Sequence, residues 1–359
     1  MSFTLGENVK ITVAGASHSQ KIEIKIEGLP EGAKIDPDEV NAFLQRRRGG
    51  GASYTTARKE KDEPVITGGI SQNILTGEPL SAYFVNENAK STDYAKMRTI
   101  PRPSHADYTA YVKYNGKLDM SGGGFFSGRM TLPVCFAGAV CMQILKSRGI
   151  DIRAHILSVA DAFDEAFDPV TQEFPEPAGH VLPVISKDAG DKMLSIMEKT
   201  AADGDSVGGC IECKVINLPA GIGDPIYDSV ESVMSHAMFS IPAVKGIEFG
   251  EGFKVCSDRG SVSNDAFCIK DGKVSCVTNN SGGIQGGITN GMPVIFRVAV
   301  KPTPSIYKPQ QSVDLEKMEE CTLVIEGRHD ACIVPRVVPV VEAMCALTLM
   351  DLMSMPDGI

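Results

Sequence analysis

IEIKIEGLPEGAKIDPDEVNAFLQRRR, residues 22–48, passes from one secondary-structure period to another. Apolar and charged residues alternate strictly through IEIKIE, the pattern of a strand buried on one face. Leu-Pro-x-Gly then marks a turn, and Asp36 followed by Pro37 predicts a helix N-cap and a first helical position. Far along the chain, CIECKVINLPAGIGDPIYDSVESVMSHAM (210–238) repeats that order: an alternating strand, a second Leu-Pro-x-Gly and a proline-led helix. The shared turn in the same setting suggests an internal repeat and a pseudo-twofold fold.

Outward from these two segments, glycine (36 residues) and proline (21 residues) divide the chain into short elements. A buried helix is expected over 132–147, closed by Gly149, and an amphipathic one over 187–202. Residues 283–300 read as a glycine-rich turn and a strand, and an apolar helix follows Pro335. Strands and helices without a steady βαβ rhythm favour α+β layers over a doubly wound sheet. A length of 359 residues suits one large α+β unit, or two to three domains of roughly 150 residues.

The apolar stretches 131–145 and 337–353 are too short, or too interrupted by Pro339 and Glu342, for a membrane span of about 20 residues. A net charge of −10 argues against nucleic acid as the main partner, while local arginine clusters still gather small anions. Ten cysteines without a framework, and no charged-then-apolar leader, give the expectation of a cytoplasmic protein with reduced thiols. Cys210 and Cys213 form C-x-x-C inside a strand with no second pair, so no metal site is expected.

Several stretches carry candidate chemistry. GASHSQ (15–20) sets Ser17 and His18 just past the end of a strand, where a hydroxyl beside an imidazole suits proton transfer. A turn histidine in water is the competing reading. RRRGGG (46–51) ends the first helix; one arginine there satisfies the helix dipole, whereas three in a row suggest an anion-gathering surface. RPSHADY (102–108) holds His105 in a proline-bounded loop, and His155, His180 and His236 read as structural or solvated. GRHDACIVPR (327–336) places Arg328, His329, Asp330 and Arg336 between apolar elements, where charged groups need one another or a ligand. NNSGGIQGGITNG (279–291) is neither a Walker A loop nor a dinucleotide fingerprint, and is open to both a backbone–anion contact and a plain hairpin. In MSGGGFFSGRMT (120–131), Gly122 and Gly124 match the first two places of G-x-G-x-x-G, but Ser127 stands at the third.

In this order the stretches resemble chorismate synthases over almost the whole chain. The matching blocks are SH at 17–18, RRR at 46–48, SHADYT at 104–109, SGGG at 121–124 and DSVGG at 205–209. AVKGIEFGEGF at 243–253, NNSGGIQGGITNG, KPTPS at 301–305 and RHDACIVPRVVPVVEAM at 328–344 continue the series. The resemblance implies one domain over residues 1–359, a β-α-β sandwich with helices between antiparallel sheets, and a homotetramer. It implies anti-1,4-elimination of phosphate from 5-enolpyruvylshikimate 3-phosphate to give chorismate, with reduced FMN and no net redox change. NADPH and an external reductant are the two sources of electrons it allows. A substrate with one phosphate and two carboxylates agrees with arginine clusters in an acidic protein.

By the same resemblance, His18 protonates the departing phosphate with support from Ser17, His105 supplies a proton to the reduced flavin, and Asp330 acts with the flavin in taking the substrate proton. Arg46, Arg48, Arg129 and Arg336 neutralise the substrate. Flavin contacts fall to Ser127, Pro242, Ala243, Gly286, Lys301, Pro302, Thr303, Pro304, Ser305 and Arg328. Phe125 and Phe126, in the same segment, are open to two readings: they pack against the flavin, or they fill core space. The chain departs from the family pattern at Ala16 and Ser19, at Gly49 and Gly51, and at Ser104. The largest departure is in the glycine loop, where Phe125, Phe126 and Met130 replace arginine, serine and glutamate. The alternative is a non-catalytic or substrate-shifted paralogue that binds flavin or anions. Retention of both histidines and Asp330 weighs against it.

Overall fold

The computed structural model describes residues 1–49, 54–55, 60–86, 99–325 and 329–354. One antiparallel sheet holds β1 (Ser2–Leu5), β2 (Lys10–Ala14), β3 (Lys21–Glu27), β4 (Val65–Gly68) and β7 (Leu80–Val85), in the order β1-β2-β3-β7-β4. The other holds β8 (Asp151–Val159), β9 (Ala162–Phe163), β10 (Gly209–Ile216), β11 (Val244–Phe249) and β16 (Val294–Val300), in the order β11-β16-β10-β8-β9. Four hairpins lie outside them: β5 (Ile70–Ser71) with β6 (Ile74–Leu75), β12 (Phe267–Lys270) with β13 (Lys273–Cys276), β14 (Ile284–Gln285) with β15 (Ile288–Thr289), and β17 (Gln310–Asp314) with β18 (Glu319–Leu323). The helices are α1 (Pro37–Arg47), α2 (Asp107–Lys113), α3 (Thr131–Ser147), α4 (Lys187–Ala202), α5 (Val230–Phe239), the single turn α6 (Gly260–Ser263) and α7 (Val334–Met353).

The two halves follow one path. In the first, β2 and β3 pair, α1 follows, β4 returns at the edge, a hairpin intervenes, β7 pairs with β3, and α3 follows. In the second, β8 and β10 pair, α5 follows, β11 returns at the edge, hairpins intervene, β16 pairs with β10, and α7 follows. Even the turns correspond: Gly28 and Gly32 have φ of +82°, and Asn217 and Gly221 have φ of +58° and +97°. These are left-handed positions that glycine and asparagine tolerate best.

Asp36 caps α1, its carboxylate accepting from the N–H groups of Asp38 and Glu39. The expected proline-led start of the second helix is not observed. α5 begins at Val230, with Ser229 accepting from the Ser232 N–H. The intervening residues are held against β15 instead, through reciprocal bonds between Ile222 and Thr289, and Val230 N–H donates to the Gly287 carbonyl.

The strands differ as their surroundings do. β3 alternates, with Ile22, Ile24 and Ile26 buried and Lys21, Glu23 and Lys25 exposed. β10 does not, because both of its faces are covered. Cys213 meets Cys345 of α7 on the inner face. On the outer face the fully buried Lys214 donates to the carbonyls of Asp168 and Glu173. Glu212 there accepts from Phe167 N–H, Arg297 and His155. His155 is thus structural: its Nδ1 lies 3.2 Å from Asp164 and its Nε2 3.1 Å from Glu212. Both acceptors are carboxylates, so both ring nitrogens carry protons. Burial opposes that charge, but the two carboxylates raise the ring above the usual histidine range.

Helices α3 and α7 pack against each other between the sheets. α3 reaches β2 and β3, and Phe84 of β7 meets Phe136 edge-on at 6.0 Å; α7 reaches β8 and β10. At the crossing, a Cβ on Gly138 would fall 2.2 Å from the Ala343 Cβ, so the two backbones touch. Residues Gly128–Ser147 prove long and apolar enough to cross a membrane by length and composition, contrary to the shorter stretch read from sequence. The apolar character instead serves burial on both sheets, since most of this helix is inside the protein.

Polar groups on α7 are paired. Glu342 accepts a bidentate pair from Arg46, at 2.6 and 3.0 Å, and the Ala154 N–H. Asp351 accepts from the N–H groups of Glu7, Asn8 and Val9.

Gly138→Ala tests the crossing. In a free helix this change stabilises by about 0.5–1 kcal/mol. Here overpacking wins, and a net loss of about 1–3 kcal/mol is expected in urea unfolding; a gain would show that the helices part cheaply. His155 sets a second expectation. A raised folded pKa means its contribution is full below about 6.5 and is lost as pH rises through the folded value. The stability gap between the native chain and His155→Gln should therefore narrow from about pH 6 towards pH 9, and a gap that widens contradicts the protonated bridge.

Candidate active site

A cleft of about 620 Å³ opens where the C-terminus of α1, the glycine loop, the 239–245 turn, the 301–305 segment and the start of α7 converge. That volume is in the range of ligand sites, roughly 300–1,000 Å³.

The glycine loop folds where the sequence allows no other residue. Gly122, Gly123 and Gly124 have φ of +60°, +86° and +53°, and a Cβ on Gly122 would stand 2.0 Å from the His18 ring and 2.5 Å from Ser17 Oγ. Ser17 is buried behind this contact. Its Oγ donates to the Gly122 carbonyl at 2.9 Å and lies 2.8 Å from His18 Nδ1. The hydroxyl proton is thereby committed, so Oγ accepts from His18 Nδ1–H, and the ring lines the cleft.

His105 stands across the loop. A Cβ on Gly123 would occupy the space between Ser127 Cβ (3.5 Å) and His105 Nε2 (3.6 Å), so glycine keeps that approach open. His105 Nδ1 lies 2.6 Å from Asp107, which Arg102 also engages. Burial opposes the Asp107 charge, but bonds from Arg102 and His105 hold its carboxyl far below the ordinary range. His329, also in the wall, is pushed below the usual histidine range by burial and by Arg102.

Cations dominate the remaining wall. Arg47, Arg48, Arg129 and Arg336 line it with Lys245 and Lys301. Asp62, buried and at φ +53°, holds two of them: Oδ2 accepts from Arg47 at 2.9 Å and Oδ1 from Arg129. Burial opposes the Asp62 charge, but Arg47 and Arg129 keep its carboxyl below the ordinary value. Arg47 Nε, Arg48 Nε and Arg129 Nη2 are buried without a hydrogen-bond partner. Buried N–H groups of this kind are costly unless a ligand completes them, and an oxyanion is the matching acceptor. Lys301 donates to the Ser104 carbonyl, and burial with Lys245 nearby lowers it below the usual lysine range.

The lining also includes Phe125, Phe126, Phe239, Ile241, Pro242 and Pro304. Phe125 is fixed edge-on against Phe3 of β1 with ring centroids 5.4 Å apart, while Phe126 is 37% exposed. Apolar and aromatic side chains together with cationic donors in one cleft suit a flat heteroaromatic group that carries a phosphate, so the residues fit FMN.

Most residues singled out in the sequence line this cleft: His18, His105, Asp330, Arg48, Arg129, Arg336, Phe125, Phe126, Ser127, Pro242, Ala243, Lys301, Thr303, Pro304 and Ser305. Asp330 and Arg336 also form the mutual ion pair, 2.6 Å, that was one reading of that stretch. Ser17 sits directly behind the wall. Arg46 does not reach the cleft, because Glu342 binds it. Gly286 is the tip of the β14–β15 hairpin, away from the wall, and Pro302 turns from it. Arg328 lies outside the described residues. Cys210 and Cys213 are three positions apart on β10 and so point to opposite faces; among the described residues no cluster could hold a metal ion.

Sequence reading passed over Asp62, Arg102 and Asp107, and included Arg47 only as part of the RRR cluster. For Asp107 and Arg102 the signal was present in RPSHAD, an acid and a base within three residues of His105. For Asp62 there was none, since its partners are 15 and 67 residues away.

Known proteins share this architecture. A sequence profile of the family described as chorismate synthase matches residues 9–354. A chorismate synthase of Thermococcus gammatolerans is 45% identical over 346 residues, covering 96% of each chain. One from Pyrococcus abyssi is 43% identical over the same share. A crystal structure of a chorismate synthase superimposes with a TM-score of 0.76 at 26% identity, covering 97% of this chain and 92% of the other.

The unpartnered arginine N–H groups predict anion binding without any cofactor. Inorganic phosphate at millimolar concentration should raise the unfolding temperature, and Arg48→Gln combined with Arg129→Gln should abolish the rise. An undiminished rise would locate the anion elsewhere.

Proposed function

The chain belongs to the chorismate synthase family, and we propose on that premise that the cleft performs the family's reaction through the residues named below. That reaction is the anti-1,4-elimination of phosphate from 5-enolpyruvylshikimate 3-phosphate to give chorismate, in aromatic amino-acid biosynthesis. It makes the chain an FMN-dependent carbon–oxygen lyase. One observation carries the assignment of residues: His18, His105 and Asp330 face the same cleft as Arg48, Arg129 and Arg336.

Reduced FMN, when bound, supplies the electron-rich neighbour that a redox-neutral elimination requires. Phe125, Phe126, Ser127, Pro242, Ala243, Lys301, Thr303, Pro304 and Ser305 would hold it. The polar members would supply hydrogen bonds to it, and the two phenylalanines would offer apolar surface where the family pattern has polar side chains.

The chain's own groups divide the remaining work. Arg48, Arg129 and Arg336, with Arg47 beside them, bind the phosphate and carboxylates and lower the charge that develops as phosphate departs. His18 holds a proton at Nε2 for the departing phosphate, and Ser17 keeps the ring in that orientation. Asp330, anchored through Oδ2 to Arg336, is the carboxylate for the substrate proton. His105 is the second proton-holding group, opposite Ser127.

Residues 1–359 act as one unit on this reading, and the chain assembles as a homotetramer. NADPH serves as one route for reducing the flavin. A flavin-binding scaffold has no use for three separate proton-handling groups in one cleft, which favours the enzyme.

An anaerobic assay with dithionite-reduced FMN and the enolpyruvyl substrate tests the reading, with chorismate absorbance and phosphate release expected in equal amounts. His105→Ala and Asp330→Asn should each lower turnover at least about tenfold. Near-normal rates in either variant would remove that residue from the mechanism, and flavin binding without turnover by the native chain would identify a scaffold.

A further inference from the structure

Asp107 does not itself line the cleft, yet it holds two residues that do, His105 and Arg102. The carboxylate is buried, 6% exposed, at the first position of α2. Its Oδ1 lies 2.6 Å from His105 Nδ1 and 2.8 Å from Arg102 Nη2; its Oδ2 lies 2.7 Å from Arg102 Nε and 3.0 Å from the Arg102 backbone nitrogen. Arg102 continues to Ser305 Oγ at 3.2 Å, which ties the same carboxylate to the 301–305 segment.

We propose that Asp107 is a positioning residue for the reaction: it fixes the proton of neutral His105 on Nδ1 and so presents Nε2 to the cleft as the nitrogen that accepts and returns a proton. The inference rests on the functional reading above for its catalytic consequence, though not for its geometry.

An ionised carboxylate has no hydrogen to give. A contact of 2.6 Å between Asp107 Oδ1 and His105 Nδ1 is therefore a hydrogen bond only if the ring nitrogen carries the hydrogen. Arg102 Nη2 lies 3.0 Å from the same nitrogen and donates elsewhere, to Oδ1. The four N–H donors around Asp107 thus match its two oxygens, two to each, and none is left over. Burial excludes water that would otherwise substitute for any of them. His105 Nε2 is then the atom 3.6 Å from the position a Gly123 Cβ would take, on the approach to the cleft.

Asp107→Asn is the informative variant because of this donor count. Turning the amide NH2 towards Oδ2's place would oppose two donors, Arg102 Nε and the Arg102 backbone N–H, neither of which can lose its hydrogen. Turning it towards Oδ1's place opposes His105 Nδ1, which can. The ring is expected to move its proton to Nε2, with Nδ1 accepting from the amide and from Arg102 Nη2. The nitrogen facing the cleft then no longer accepts a proton.

The test combines a spectroscopic and a kinetic arm. Long-range 1H–15N spectra of histidine-labelled chain, with His105 assigned through His105→Gln, should show the Nδ1–H tautomer in the native chain and the Nε2–H tautomer in Asp107→Asn. In the anaerobic assay, Asp107→Asn should lower kcat at least about tenfold with KM for the enolpyruvyl substrate within about threefold. Asp107→Glu, which keeps an acceptor-only partner, should retain the native tautomer and recover part of kcat. A native chain already in the Nε2–H form overturns the proposal, and so does Asp107→Asn with kcat within twofold of native. If the native chain shows the expected tautomer but makes no chorismate, the functional reading fails while the placement of the proton stands.

Discussion

The backbone of α3 at Gly138 lies against Ala343 of α7 with no room for a further carbon between them. That closeness lets two sheets, each needing a helix on its inner face, share one layer of helices rather than two. Because the layer is shared, α7 is buried along almost its whole length, and its acids must be paired where they stand. Glu342 takes Arg46 and the Ala154 N–H; Asp351 takes the turn between β1 and β2. The first of these pairings ties α1 to α7 and sets the end of α1 at the mouth of the cleft.

Arg46, Arg47 and Arg48 show what this does to a charge cluster. Successive residues on a helix are about 100° apart, so the three cannot share a destination. Arg46 turns inward to Glu342, Arg47 to Asp62, and Arg48 reaches the cleft past the helix end. Arg47 and Arg48, with Arg129 and Arg336, form a positive wall in a chain of net charge −10. Low-dielectric surroundings strengthen such a local field, and the acids elsewhere on the surface are screened from it. Asp62 and Asp330 prevent the arginines from repelling one another out of place, yet leave part of their hydrogen-bonding capacity unused.

The glycine loop combines two constraints that the sequence states separately. Three consecutive left-handed residues permit only glycine in comfort, and the approach to His18 at Gly122 would forbid any side chain even if the backbone allowed one. Phe125 and Phe126 follow at once. One is anchored on Phe3 of the edge strand, and the other is turned outward beside the cleft. The loop therefore sets a glycine backbone against His18 while its phenylalanines present an apolar surface beside it.

Local features of the fold were legible from sequence. The alternation of β3, the Asp36 cap, the span of α4 and the repeated Leu-Pro-x-Gly turn each depend on neighbours within a few residues, and each is observed. β10 misled because alternation reports one covered face, and here a loop covers the other and buries Glu212 and Lys214 with their partners. The residues gathered in the cleft were mostly named from their motifs, but their division of labour was not. Whether Arg46 or Arg47 faces the cleft, which carboxylate separates Arg47 from Arg129, and which nitrogen of His105 bears the proton are set by contacts between distant segments. The sequence by itself determined which chemistry the chain carries, since residue type sets charge, acidity and backbone freedom. Only the tertiary structure decided which atoms meet, because burial leaves each donor only the acceptors that packing brings within about 3 Å.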